Sequence, residues 1–163
     1  MNIVKFPNAA LRVPCVDVSR EDDVSDLIKE MIDTMYANNG VGLAAPQVNV
    51  HKALFVMDWT GGDRNDTLTV VINPVIISHF DDHRQISPEG CLSIPGVFAN
   101  VDRWPDIVAT WLNEKREPVT KELSGPEAAI FQHEFDHLGG IVFTDRLSQF
   151  AKKLAFKGYG NQS

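Results

Sequence analysis

The sequence predicts a fold of mixed α and β structure, because helical and strand patterns occupy different parts of the chain. Apolar residues recur at helical spacing between residues 24 and 36, and a second helical segment begins at Ser124. The stretch between them contains runs rich in Val, Ile, Leu, Phe and Trp, which are typical of β-strands. The predicted order is therefore a helix, a β-rich middle and a further helix, while the pairing of the strands stays open.

The first helix is predicted to follow Ser19, which has the character of an N-cap residue with acidic residues in the next turn. Asn38-Asn39-Gly40 is expected to end it, because Asn and Gly favour helix C-termini. The apolar face between these limits is interpreted as ordinary core, and it is made of Val24, Leu27, Ile28, Met31, Ile32, Met35 and Tyr36.

Three strands are predicted in the middle of the chain, over residues 53–57, 68–77 and 106–112. Each is rich in the branched and aromatic residues that fit a pleated, half-buried surface. Gly61-Gly62-Asp63 and Asp81-Asp82 are predicted to form turns, because Gly and Asp tolerate the backbone angles that turns require.

The second helix is predicted to begin where Ser124-Gly125-Pro126-Glu127 matches a capping box with proline in the first turn. Gly139-Gly140 is expected to end it. A short last helix is predicted from about residue 146 to residue 156. One face of the second helix, by the i, i+3, i+4 rule, carries Ala129, Ile130, His133 and His137.

Composition and charge exclude several classes of function. The chain has 163 residues, 44% of them hydrophobic, which is enough for one domain with one core. Its formal net charge of −7 argues against a broad basic surface for nucleic acids. No apolar run is long enough for a signal peptide or approaches the ~20 residues of a membrane helix. We therefore expect a cytoplasmic protein with no direct nucleic-acid binding and no membrane contact.

The two cysteines, Cys15 and Cys91, could form a single disulfide, but they make no disulfide framework. A reduced, cytoplasmic setting fits them better. Cys15 lies in a predicted N-terminal loop and gives no functional signal, and neither does His51.

The strongest functional signal is the run of residues 133–137, H-E-F-D-H, an H-E-x-x-H pattern on the second predicted helix. Residues four apart lie about one turn apart, so both imidazoles leave the same face and can hold one divalent ion. Glu134 lies about 100° around the helix from His133, so it can reach a water in the site without being a ligand. The alternative is a solvated helix that carries these residues by chance.

A catalytic metal site usually has three protein ligands, so this pattern needs a third. No Glu follows Glu134, and Phe143 stands where an extended H-E-x-x-H-x-x-G-x-x-H pattern would place its third histidine. The ligand must therefore lie upstream, and Cys91 is the best candidate, because a thiolate beside two imidazoles suits Fe²⁺ or Zn²⁺. Spacing alone does not separate this role from that of a small buried hydrophobic residue, which free cysteine often is.

His79 and His83 also lie four residues apart. They flank Phe80-Asp81-Asp82, which is predicted to be a turn between strands, so helical spacing does not apply to them. We interpret this pair as structural.

Three segments resemble the motifs of the peptide deformylase family. Residues 40–47 resemble its G-x-G-L-A-A-P-Q motif, residues 89–93 its E-G-C-L-S motif and residues 132–138 its Q-H-E-x-D-H-L motif. They occur in the family's order, and the resemblance extends from near the start of the chain to about Leu147. Three motifs in order are highly specific. Flanking matches are Pro7, Leu11-Arg12 and Ile94-Pro95-Gly96.

The resemblance implies an enzyme that hydrolyses the N-formyl group from the N-terminal formyl-methionine of newly made polypeptides and releases formate. It implies an α+β fold in which antiparallel β-sheets pack around a central helix carrying the H-E-x-x-H motif. It also implies one catalytic domain over residues 1–163, with a short C-terminal tail over 148–163. Lys152, Lys153 and Lys157 are a weak substitute for the longer basic helix with which bacterial relatives dock the ribosome. We therefore expect at most transient proximity to the ribosome.

Carried over residue by residue, the resemblance makes Glu134 the general base and acid. Gln47 and the backbone N–H of Leu92 become the donors that hold the substrate oxygen, although a polar surface residue is the other interpretation of Gln47. The resemblance implies one divalent ion per chain, Fe²⁺ in the usual case, with Zn²⁺ or Ni²⁺ as alternatives. Its ligands would be Cys91, His133 and His137.

By resemblance, Val41 and Gly42 hydrogen-bond the substrate chain as an added strand would, and Gly90 is grouped with them as a substrate-binding residue. Gly40 and Gly42 let a peptide backbone approach closely, because they have no β-carbon. A methionine pocket must accept a flexible unbranched side chain by shape, and the apolar helix face before His133 suits this. Alternatively, that face packs only into the core. The expected lining residues are Val41, Leu92, Pro126, Ala129 and Ile130.

Three further residues are expected around the ligands. Glu89 is expected to steer a ligand or to pair with Arg103, and Asp136 to bond an imidazole or the backbone. Ordinary structural ion pairs are the alternative for all three. Phe98 stands where many bacterial relatives carry an arginine near the pocket rim, so the preference beyond methionine stays open.

Two other functions compete with deformylation. A metallopeptidase, or an amidase acting on another acyl group, would share H-E-x-x-H, but the missing downstream ligand and the motif around Cys91 count against it. A non-catalytic metal-binding or scaffold protein on the same fold is disfavoured, because it would need neither Glu134 nor Gln47.

Overall fold

The computed structural model describes residues 1–62, 66–80 and 83–159. The predicted turn residues Asp63, Asp81 and Asp82 lie outside these ranges, as do residues 160–163 of the tail. Gly61 and Gly62 form a turn with positive φ, as predicted. None of the helices built from the described residues is long and apolar enough to cross a membrane.

The β-strands form two antiparallel sheets. Five strands make the larger sheet in the order β1-β2-β3-β6-β7, and β4 and β5 pair as a separate hairpin. The predicted strands over 53–57, 68–77 and 106–112 correspond to β2, β3 and β6. The bounds are β1 Gly42–Ala44, β2 Leu54–Met57, β3 Thr69–His79, β4 Gln85–Cys91, β5 Ile94–Arg103, β6 Asp106–Leu112 and β7 Pro118–Ser124.

The first helix, α1, spans Ser25–Ala37. The predicted cap at Ser19 is wrong, because the residue that precedes the helix is Val24 and Ser19 lies in a loop, where its N–H donates to Asp22 at 2.8 Å. The predicted end is confirmed, since Asn39 has a positive φ of 54° directly after the helix. The buried face of α1 packs against the larger sheet.

The second helix, α2, spans Gly125–Leu138 and carries the H-E-x-x-H run. The predicted capping box is wrong: the Ser124 side chain makes no cap hydrogen bond with any described residue, and Glu127 accepts a hydrogen bond from Lys121 at 2.7 Å. The helix ends as predicted, before Gly139. Gly140 has a φ of 74°, and a β-carbon there would come within 2.5 Å of the Arg12 carbonyl oxygen, so only glycine fits.

The helix α2 is central, because it packs against the larger sheet and also contacts β4. The Phe131 ring lies in this core, 5.1 Å from Phe55 and 5.6 Å from Trp111 between ring centroids. These contacts fix the rotation of the helix about its axis, so its other face turns towards the β4–β5 hairpin. The α+β fold with antiparallel sheets around the helix of the H-E-x-x-H motif is therefore confirmed.

The last helix, α3, spans Gln149–Ala155, where the Ser148 side chain caps it by accepting from the Ala151 N–H at 3.1 Å. It starts later than predicted, because Phe143–Arg146 forms a separate 3-10 turn. Phe156 and Tyr159, after the helix, pack on the Phe6 ring near the N-terminus. The end of the described chain is thus held against its beginning.

Candidate active site

The structure brings Cys91, His133 and His137 together, although they come from different elements. Cys91 ends β4, and the two histidines lie one turn apart on α2. One ligand atom from each residue lies within 4.8 Å of the others, and Cys91 Sγ is 3.4 Å from His137 Nε2. A sulfur and two imidazole nitrogens are a donor set that suits Fe²⁺ or Zn²⁺. These residues therefore fit one divalent ion.

The His133 ring is oriented by its neighbours. Its Nδ1 lies 2.8 Å from Glu89 Oε2, which leaves Nε2 as the nitrogen available to a metal. Phe143 stacks on the ring at 5.9 Å between centroids and an angle of 24°. Phe143, which stands where the extended H-E-x-x-H-x-x-G-x-x-H motif would have its third histidine, thus packs on the His133 ring.

The electrostatics of the site favour a thiolate at Cys91. Burial by itself would raise the pKa of this thiol, but the imidazoles of His137 and His133 hold the pKa well below its ordinary value. A thiolate is the form in which cysteine binds metal, so the site is prepared for an ion.

Glu134 lies beside the three ligands and is 3% exposed. Burial is the largest influence on its carboxyl group and raises the pKa to about 7. Its Oε2 makes no hydrogen bond with any residue that the structure describes. A buried carboxylate with a free oxygen and a pKa near neutrality can both take and give a proton.

Gln47 is held inside the site, so the interpretation as a surface residue is wrong. It is 1% exposed, and its Oε1 accepts from the Ala44 N–H at 2.8 Å. Its Nε2 lies 3.1 Å from Ser93 Oγ and 3.4 Å from Cys91 Sγ. Ser93 was not predicted as a site residue, although its position two residues after Cys91 was a signal for it.

A cavity of about 540 Å³ opens onto these groups. It is bounded by the β1 segment on one side, the β4–β5 hairpin on another and α2 at its base. Pro126, which was predicted as a pocket residue, is not among the described residues that line the cavity. Predicted residues that do line the cavity are Val41, Gly42, Gln47, Glu89, Gly90, Cys91, Leu92, Ala129, Ile130, His133 and Glu134.

Comparison with known proteins decides the family. A sequence model of the polypeptide deformylase family matches residues 1–153. The peptide deformylase of Neisseria meningitidis serogroup C is 44% identical over 150 residues, which cover 91% of this chain and 87% of that protein. The chain belongs to the peptide deformylase family.

Solved structures of peptide deformylases have the same fold as this chain. The Synechococcus elongatus enzyme in complex with actinonin superposes with a TM-score of 0.92 at 36% identity, covering 98% of this chain and 88% of that one. The Thermotoga maritima enzyme gives a TM-score of 0.83 at 40% identity, covering 90% and 97%. The chain is therefore a hydrolase, and its reaction is the removal of the formyl group from the N-terminal formyl-methionine of polypeptides.

In this deformylase, ion pairs surround the metal site. Arg103, 2% exposed, donates to both oxygens of Glu89, from Nε at 2.7 Å and from Nη2 at 2.9 Å. For Asp136 the ion-pair alternative is observed, because its carboxylate accepts from the guanidinium groups of Arg103 and Arg146. It makes no bond to an imidazole or to the backbone of a described residue, so that expectation is wrong. Arg146 was missed, since it lies beyond the metal motif.

The other histidines considered in the sequence analysis, His51 and His79, lie apart from the site, as does Cys15. The His79 ring stacks on Trp104 at 3.6 Å between centroids, and His51 Nε2 lies 2.9 Å from the Ala10 carbonyl oxygen. Cys15 and Cys91, both within the described residues, are free thiols, so the disulfide alternative is wrong. Burial raises the pKa of Cys15 to about 11, so the neutral thiol is its favoured form at neutral pH.

Proposed function

We propose that deformylation takes place in the cavity over the group formed by Cys91, His133 and His137, with Glu134 moving the protons. The observation that carries this proposal is the convergence of a thiol and two imidazoles beside a buried carboxylate. The three side chains would hold one divalent ion, for which we propose Fe²⁺, with Zn²⁺ and Ni²⁺ as alternatives. Such an ion, when bound, lowers the pKa of water and polarises a carbonyl oxygen.

Glu134 would act as general base and then as general acid. Its carboxylate takes a proton from the attacking water, whose oxygen forms a bond to the formyl carbon. The same proton passes to the methionine nitrogen as the carbon–nitrogen bond breaks, which gives formate and a free amino terminus. A pKa of about 7 suits both transfers, because neither form of the group is strongly favoured at neutral pH.

Gln47 and Leu92 would stabilise the negative charge that develops on the formyl oxygen. Two hydrogen bonds orient the Gln47 amide, so its Nε2 is fixed beside Cys91. The Leu92 N–H belongs to the residue directly after Cys91. One donor of this kind typically contributes about 3 kcal/mol to the stability of a transition state.

The substrate chain would bind along β1. Among the described strands it is the terminal strand of the larger sheet and pairs with β2 alone, so its other edge could take an added strand at Gly42, before Ala44, whose N–H donates to Gln47. Gly42 at the start of β1 and Val41 before it line the cavity, as does Gly90 of the hairpin. The methionine side chain would contact Ala129 and Ile130 on α2, where an apolar wall accepts an unbranched thioether.

We also propose the wider setting of the reaction. The polypeptides are nascent chains in the cytoplasm, and the enzyme is at most transiently near the ribosome. The catalytic unit is one domain over residues 1–163, with residues 148–163 as its tail.

The proposal is tested by formate release from formyl-Met-Ala-Ser, with acetyl-Met-Ala-Ser as the matched control. The protein is prepared without oxygen, because thiolate and ferrous iron both oxidise in air. We expect one metal ion per chain and formate release from the formyl peptide, with no hydrolysis of the acetyl peptide. Equal hydrolysis of both peptides would indicate a general amidase instead.

A further inference from the structure

The His133 side chain depends on a chain of buried charges that reaches the protein surface. Glu89 Oε2 lies 2.8 Å from His133 Nδ1, and both oxygens of Glu89 accept from Arg103. Arg103 Nη1 continues the chain to Asp136 Oδ2 at 2.7 Å. Glu89, Arg103 and Asp136 are each less than 9% exposed. The position of the imidazole is therefore set by ionic contacts that lie behind it.

These three buried groups alone would carry a net charge of −1, because two carboxylates share one guanidinium. A buried charge without a full partner is costly, and it draws the available cation towards itself. The Arg103 guanidinium would then be the only cation for two carboxylates. One of them, Glu89, contacts His133, and the other, Asp136, does not.

Arg146 supplies the missing positive charge. Its Nε lies 2.6 Å from Asp136 Oδ2 and its Nη2 2.5 Å from Asp136 Oδ1, a two-nitrogen fork on one carboxylate. With Arg146 the four groups sum to zero charge. Because Arg146 satisfies Asp136 from the outside, Arg103 can keep both of its bonds to Glu89.

The element that carries Arg146 contacts His133 a second time. Arg146 closes the 3-10 turn Phe143–Arg146, and Phe143 at the start of that turn stacks on the His133 ring. This turn lies next to β4 and β5, the hairpin that contributes Cys91 and Glu89. One short segment after the metal motif thus restrains the same ligand from its ring face and through its Nδ1.

We propose that Arg146 is a positioning residue of the metal centre, which slows metal loss by holding Asp136 and thereby the Arg103–Glu89–His133 chain. This inference rests on the proposal that His133 is a metal ligand. Residues that orient a ligand typically change metal affinity by about 10- to 100-fold when they are removed. For Arg146, whose side chain is 41% exposed, water can replace part of the contact, so we expect the lower end of that range.

The test measures the rate at which Ni²⁺-loaded protein loses its ion to an excess of chelator. Arg146→Ala should lose Ni²⁺ about 10-fold faster than the wild type. The rate of Ni²⁺ loss from Arg146→Lys should lie between the rates of the wild type and Arg146→Ala, because lysine keeps the charge but cannot make the two-nitrogen fork. Arg12→Ala is the matched control, since Arg12 pairs with Asp145 of the same turn and does not contact Asp136 in the described structure. Its rate should equal that of the wild type.

A second measurement separates positioning from general stability. The proton on His133 Nδ1, followed by NMR, should shift or broaden in Arg146→Ala and stay unchanged in Arg12→Ala. If Arg146→Ala does not fold, the Arg146→Lys rate and spectrum decide in its place. Wild-type rates and spectra in the folded Arg146 variants would overturn the inference alone. A wild-type chain that binds no Ni²⁺ would overturn it together with the proposed metal centre.

Discussion

The carboxylate of Glu134 lies against the α-carbon of Gly42, where a β-carbon would come within 2.2 Å of Oε1. The atom that would be displaced is the end of a flexible side chain, so the fold can adjust at little cost. The adjustment would, however, move the proposed proton carrier. The absence of a side chain at Gly42 therefore defines where the Glu134 carboxylate lies, at the edge along which we propose that the substrate chain binds.

Gly42→Ala should reduce kcat by about 10-fold or more, because a small displacement of a catalytic group is costly, while leaving metal content unchanged. Formate release and metal analysis on the same sample check this. Gly139→Ala is the control, since a β-carbon there meets only an ordinary contact of 3.5 Å. Normal turnover in Gly42→Ala would show that Glu134 does not need its present position.

Glu134→Gln should keep the metal and lose turnover by a factor on the order of 10² to 10⁴, the usual contribution of a general acid–base group. The amide has the same shape but cannot take a proton. Glu127→Gln, on the same helix in an ion pair with Lys121, should retain full turnover. Turnover that survives in Glu134→Gln would remove Glu134 from the mechanism.

Cys91→Ala should lose the metal ion and with it the activity, because only two imidazoles remain to hold the ion. Cys15→Ala changes the other free thiol and should bind metal as the wild type does. Metal analysis after dialysis compares the two proteins. Full occupancy in Cys91→Ala would point to another third ligand.

Phe98→Arg should change the choice of peptide. The Phe98 side chain is 75% exposed and lies at the cavity rim over Gly90. In the proposed binding mode it would offer an apolar surface to the residues that follow methionine. We expect kcat/KM for formyl-Met peptides with an aromatic next residue to fall about five-fold, the equivalent of ~1 kcal/mol of contact. Formyl-Met-Ala-Ser should be little affected. Ile86→Arg, on the same hairpin but outside the cavity lining, is the control, and an equal effect there would contradict a role for Phe98.

The stabilising contribution of Asp58 should be lost in acid. Burial raises the pKa of its carboxyl, but hydrogen bonds from Tyr36, Thr67 and Thr60 outweigh burial and lower it to about 2. A depressed folded-state pKa gives stability that is present above the unfolded pKa, near 4, and is lost as pH falls towards 2. Asp58→Asn should therefore lower the free energy of unfolding at pH 6. The difference in unfolding free energy between the wild type and this variant should be smaller at pH 3 than at pH 6. Denaturant unfolding at both pH values tests this, and a constant gap would contradict it.

Sequence patterns found the elements whose side chains decide their conformation. The two long helices and the strands β2, β3 and β6 have continuous apolar patterns. All were predicted close to their observed bounds except at the start of α1, which begins at Ser25 and not directly after Ser19. The β4–β5 hairpin was missed, because Pro88, Gly90, Pro95 and Gly96 interrupt its strand pattern. The strand β7 was missed because Lys121 and Glu122 give it the polar character of an exposed edge.

The site followed the same division. Helical spacing alone placed His133 and His137 together with Glu134 beside them. Donor chemistry made Cys91 the best candidate for the third ligand, and the resemblance favoured that role and supplied Gln47. The contact between Gly42 and Glu134 could not be predicted, since it depends on how β1 packs on α2. Arg146 escaped notice for a similar reason, because its link to the ligands runs through Asp136 and Arg103 rather than along the chain.

The ligand set joins two elements that no covalent bond connects directly, since Cys91 ends a hairpin and both histidines lie on a helix. A shared ion would cross-link them, and the hairpin and the helix are also two walls of the cavity in which we propose that the peptide binds. Metal content should therefore govern the width of the cavity as well as the chemistry inside it. An enzyme stripped of its ion should bind the formyl peptide more weakly and no longer remove its formyl group.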